Sequence, residues 1–184
     1  KTGWLHPAVA FAKPFRMPDF FLIAGLFVGR ALNWPLRRYL DRKVVHFAYF
    51  FALWTLIILM AKSGELELTD PRAFVPAFLW SLVDPFSSLW FVQLLPFLFI
   101  AARLLRGTPP LASILLAAVL HILAALFPDG GQYAMASRMT GSIPIDAFCL
   151  FLVYFLIGHH GRAWILAFAA WVERRPSLSL LGLT

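Results

Sequence analysis

Long apolar stretches alternate with short polar breaks along this chain, at a spacing set by a bilayer rather than by a globular core. Phe20 to Trp34 is apolar apart from Arg30 and Asn33, and Val44 to Ala61 is a cleaner run that ends at Lys62. Phe86 to Leu105, Pro110 to Phe127 and Ile143 to Gly158 follow. A helix rises about 1.5 Å per residue and a hydrocarbon core is roughly 30 Å thick. The pattern therefore predicts five spans, 20–34, 44–61, 86–105, 110–127 and 143–158, the first of them slightly short. Two further apolar stretches, 73–83 and 163–172, are too short to cross and are expected as interfacial helices. The fold class is all-α integral membrane: a multi-spanning transmembrane helix bundle with short interfacial helices, within one domain over 1–184.

The breaks carry the orientation. Arg37-Arg38-Tyr39-Leu40-Asp41-Arg42-Lys43 parts the first two spans and reads as the cytoplasmic turn of a hairpin, because Lys and Arg accumulate in short cytoplasmic loops. On that assignment the inner loops hold Arg37, Arg38, Arg42, Lys43, Arg103, Arg106, Arg162, Arg174 and Arg175. The outer loops, 63–84 and 128–142, hold or adjoin Lys62, Arg72 and Arg138. The N-terminal stretch, with Lys1, Lys13 and Arg16, runs against the rule.

Composition agrees with the pattern. The 184 residues are 61% hydrophobic and 14% charged, where a soluble domain is about half apolar and a quarter charged. Mean hydropathy is +0.78. The net charge of +7 would favour nucleic-acid binding in a soluble chain; here membrane topology accounts for it, and no nucleic-acid partner is expected. Cys149 is the single cysteine, so neither an internal disulfide nor a metal-ligand spacing exists. The chain starts at Lys1 without a signal-peptide pattern, and Leu178 to Thr184 reads as the opening of another apolar segment. It is expected to be part of a longer protein, with helices before Lys1 and after Thr184.

At Arg16-Met17-Pro18-Asp19-Phe20-Phe21-Leu22-Ile23-Ala24-Gly25-Leu26-Phe27 the sequence resembles the acyltransferase 3 family of integral-membrane O-acyltransferases. That family's second helix opens with a His-Met-Pro-x-Phe-Phe-Phe-x-Ser-Gly-like run; Arg16 replaces the His here and Ala24 the Ser. Ser88-Leu89-Trp90-Phe91-Val92-Gln93-Leu94-Leu95-Pro96 is similar to a later helix led by Leu-Trp-Phe, and Phe155-Leu156-Ile157-Gly158 to a Phe-rich helix ending in Gly. The family's Arg-x-x-Arg after helix two is not literal; that spacing occurs instead at Arg103-Leu104-Leu105-Arg106.

The resemblance implies transfer of an acyl group from a cytoplasmic donor, acyl-CoA as co-substrate, to a hydroxyl of a sugar or glycan. It implies no further cofactor, no metal, and a bacterial inner membrane as location. A chain lacking the family's first helix, which carries its proposed catalytic His, is expected to be inactive alone. Guanidinium forks bind phosphate oxygens bidentately, so Arg37, Arg38 and Arg42, with Arg30 nearby, are candidate donor-binding residues; topology and lipid headgroups are the competing account. His46 is the candidate base within the chain, able to take a hydroxyl proton near neutral pH, with Tyr49 one turn on as a substrate contact. His121 is read as an interhelical hydrogen bond, Asp19 as a helix cap, and Cys149 as packing. A transporter fragment, for which a repeat of broken helices would be expected, and a non-catalytic membrane module are the alternatives.

Overall fold

The structure, a computed structural model, describes residues 6–66, 70–85, 89–126 and 142–174, with the backbone alone at 6–16 and 143. The polar stretch 128–141 with Arg138, and the apolar end 178–184, lie outside the described residues. All described regular structure is helical: α1 His6–Val28, α2 Leu36–Ala61, α3 Pro71–Val83, α4 Trp90–Leu104, α5 Pro110–Ala125, α6 Ile143–His160 and α7 Arg162–Glu173. By length and apolarity α2 and Trp90–Gly107 are able to cross a membrane, and α6 with α7 joins them if that pair, bent by 68°, counts as one span. Met17–Val28 and Pro110–Ala125 are shorter apolar helices.

The helix ends follow from local chemistry. α3 begins where Asp70 accepts a hydrogen bond from the Arg72 amide at 2.9 Å, with Pro71 in the first position, where its missing N–H leaves nothing unsatisfied. Its far end is fastened by Gln93 of α4, whose Nε2 donates to the carbonyls of Leu82 and Val83 at 2.7 and 3.2 Å. The turn between α1 and α2 falls at 29–35, not at 37–43. Pro35 sets it: proline drives the preceding residue out of the helical region, and Trp34 is extended at ψ 154°. Helix resumes at Leu36, so the basic run forms the opening turns of α2. Because α1 already begins at His6, Asp19 lies exposed within it and does not cap its start.

α6 is the hub. It packs most extensively on α1, then on α5 and α4, while α2 reaches the bundle through α4. Its crossing with α1 is close enough that a Cβ on Gly25 would collide with the Phe155 carbonyl, and one on Gly158 with that of Leu22. Small residues let helix backbones approach in this way. Aromatic rings fill the space beside the crossing: Phe21 lies 4.8 Å from Phe151, Trp90 5.6 Å from Phe151, and Phe91 5.2 Å from Phe20, between ring centroids. Phe20, Phe21, Trp90 and Phe91 are among the residues that carried the family resemblance, and they pack together here. Outward, α2 and α5 expose Trp54, Ile57, Met60, Leu115, Val119 and Ile122, an apolar exterior suited to lipid.

Candidate functional site

The ends of α1, α4 and α6 and the starts of α2 and α5 meet at one end of the bundle, and its cations gather around the 29–35 turn. On one side, the Leu32 carbonyl accepts hydrogen bonds from Nη1 of both Arg103 and Arg106, the latter at 3.2 Å. Beside it the buried Tyr39 hydroxyl donates to the Phe99 carbonyl at 2.7 Å. The Arg103 guanidinium stands 5.3 Å from the Tyr39 ring, and the Arg38 guanidinium 4.7 Å from that of Trp34, both within cation–π range.

On the other side Gly29 faces the α6–α7 bend. A Cβ there would lie 3.7 Å from Arg162 Nη1 and 3.7 Å from His159 Nδ1, in ordinary contact. Arg162 Nε and His159 Nδ1 are buried with no hydrogen-bond partner. Such atoms are uncommon in folded proteins, and each calls for an account. The neighbouring His160 is engaged, with Nε2 3.0 Å from Ser113 Oγ of α5.

Residues 41–45 form a π-turn at the foot of α2. In a plain α-helix, positions four apart drift by about 40° per step. The wider turn cancels this drift, so Tyr39, Lys43 and Phe47 all reach Phe99: a hydroxyl on its carbonyl, an ammonium 5.1 Å from its ring, and a ring 5.5 Å away. Such turns often sit at functional sites.

The anticipated site residues divide into groups. Arg30, Arg37 and Arg42 are exposed at the basic end, Arg30 in the turn beyond α1 rather than within its apolar stretch. Arg38 is exposed too but leans on Trp34. His46 and Tyr49 stand apart from the turn, on α2. The His46 imidazole packs edge-on against Phe47 and Phe50, with centroids 5.9 and 4.9 Å away. Tyr49 is 61% exposed and touches Phe50. His121 bonds the Leu150 carbonyl at 2.7 Å, tying α5 to α6 as expected.

Arg162 and His159 escaped the sequence reading as site residues. Arg162 counted only towards orientation, and nothing in the order of residues shows that Gly29, some 130 positions away in the chain, leaves room beside them. Arg103 and Arg106 were read as orienting charges, whereas both are committed to a backbone acceptor.

A family model described as an acyltransferase domain, that of the acyltransferase 3 family, matches residues 2–184. No curated protein and no solved structure matches the chain.

Proposed function

The chain belongs to the acyltransferase 3 family of integral-membrane acyltransferases, which transfer groups other than aminoacyl, and from that premise we propose a donor, an acceptor and a donor site. The donor is a cytoplasmic acyl-CoA and the acceptor a hydroxyl of a sugar or glycan, in a bacterial inner membrane. The hydroxyl oxygen attacks the thioester carbonyl, the carbon–sulfur bond breaks, and the thiolate leaves and takes up the proton given up by the hydroxyl. The phosphates of the donor lie against the basic end, held by Arg30, Arg37, Arg42 and Arg162.

The observation that carries this reading is the division of labour among the cations. Arg103 and Arg106 spend donors on Leu32. Arg30, Arg37 and Arg42 project free of the packed core, and Arg162 keeps an unpartnered buried Nε beside Gly29. Arg37 and Arg38, moreover, stand in the first turn of α2, where a cation opposes the helix dipole by roughly 0.3–1 kcal/mol. Their placement does not serve the helix; an anionic ligand at that end would offset its cost.

The test is kinetic, on membranes carrying the full chain. Lysine keeps the charge but loses the planar fork, and a charge-assisted hydrogen bond is worth roughly 1.5–3 kcal/mol. Arg37→Lys with Arg42→Lys is expected to raise KM for acyl-CoA about tenfold or more at unchanged kcat and unchanged insertion. An unaltered KM would leave these arginines as orienting charges only.

A further inference from the structure

Above the basic end, an open groove runs between α2 and the start of α4. Its volume is about 490 Å³, and it is lined by His46, Phe47, Phe50, Trp54, Leu89 and Val92. Phe50 and Trp54 are 40% and 50% exposed. From residue 46 to 54 the helix advances about 12 Å, so the groove is elongated along α2. Its elongated, apolar wall suits an alkyl chain laid along α2.

Its charge is one-sided. One turn towards the basic end from His46, Lys43 sits half-buried with its ammonium over Phe99, whose ring also packs on Phe47 of the groove wall. A cation at the foot of an apolar slot, at the level where α2 emerges from its apolar stretch, matches an amphiphile with an anionic head and an alkyl tail. Basic pockets between membrane helices take anionic lipid headgroups in this manner.

We propose that this groove is a binding site for an anionic glycerophospholipid of the leaflet at the basic end, its phosphate against Lys43 and one acyl chain along His46, Phe50 and Trp54. The site is separate from the donor-binding arginines around the 29–35 turn and stands whether or not they bind acyl-CoA. The lipid would bridge α2 and α4 beside their direct contact.

Trp54 reports on the occupant. The full chain is placed in phosphatidylcholine nanodiscs doped with phosphatidylglycerol or phosphatidylcholine carrying brominated acyl chains. The Trp54 signal is the difference from Trp54→Phe. Brominated phosphatidylglycerol is expected to half-quench that signal at about a fivefold lower mole fraction than brominated phosphatidylcholine, the preference conferred by about one lysine near a membrane surface. Lys43→Gln should equalise the two lipids, and Lys43→Arg should retain the preference. Val92→Phe, which narrows the slot without touching the charge, should reduce quenching by both. Equal quenching of the unaltered protein by the two lipids would mean ordinary surrounding lipid and overturn the site. Absence of quenching by either would mean that protein fills the groove, and would overturn it equally.

Discussion

His46 shows how far a residue's neighbours constrain its chemistry. A catalytic imidazole is held by a partner on its second nitrogen, which fixes tautomer and direction. The His46 ring is flanked instead by the Phe47 and Phe50 rings. His46→Asn is therefore expected to keep turnover within a few-fold, measured as acyl transfer in membranes with the full chain. A loss of the 10²–10⁴ that general-base removal causes would restore His46 as the base. The sequence made His46 conspicuous because an imidazole inside an apolar run stands out. It could not show that the rings beside it are the groove's own wall. Arg162 is the opposite case: unremarkable in a string of loop charges, and distinguished only once folding sets it beside Gly29.

At the scale of helices, the α1–α6 crossing dominates, and two glycines set its distance. Overpacking a close contact costs about 1–3 kcal/mol, more than the roughly 1 kcal/mol that alanine gains over glycine as a helix former. Gly25→Ala and Gly158→Ala should each lower the thermal unfolding midpoint of the detergent-solubilised protein. Gly29→Ala, whose Cβ would meet only ordinary contacts, should leave it unchanged or raise it. A neutral Gly25→Ala would show that the helices cross less closely than described. The apolar runs made the existence of these helices readable, because helical membrane segments must satisfy their backbone internally. Their ends were less readable. α1 begins at His6, ahead of Pro14 and Pro18, which read as breaks in a sequence. The hairpin turn moved to Pro35 because charge density and chain reversal are separate properties: Arg and Lys mark a side of the membrane, and proline marks the bend.

For the whole molecule, the ends of α1, α2, α4, α5 and α6 alternate between a basic end and an opposite end near Ser63, and the proposed orientation puts the basic end in the cytoplasm. Leu40, exposed on α2 near its start, and Ser63, just beyond the end of that helix, are suited to report it; Tyr39 is fully buried and unsuited. With Leu40→Cys or Ser63→Cys, an impermeant thiol reagent applied outside intact cells should label the second and not the first. The native Cys149 is buried and adds little background. Equal labelling would refute the orientation. The gathering of basic residues at one end was legible from the excess of Lys and Arg in alternate breaks. The convergence of three helix ends on a single turn was not, since it depends on contacts such as Arg106 with Leu32, 74 residues apart.

The carbonyl shared by Arg103 and Arg106 has a consequence for how the protein responds to its medium. Mobile ions reach exposed charges, with a Debye length near 10 Å at 0.1 M salt and about 3 Å at 1 M, but screen partly buried contacts much less. The hydrogen bonds of Arg103 and Arg106 to Leu32 are partly buried and in the second class, although Arg106 itself is exposed, whereas Arg37 and Arg42 are in the first. Raising sodium chloride from 0.1 to 1 M should thus weaken acyl-CoA binding severalfold while the unfolding midpoint barely moves. A parallel fall in both would mean that the ties on Leu32 are as open to solvent as the arginines that reach for substrate.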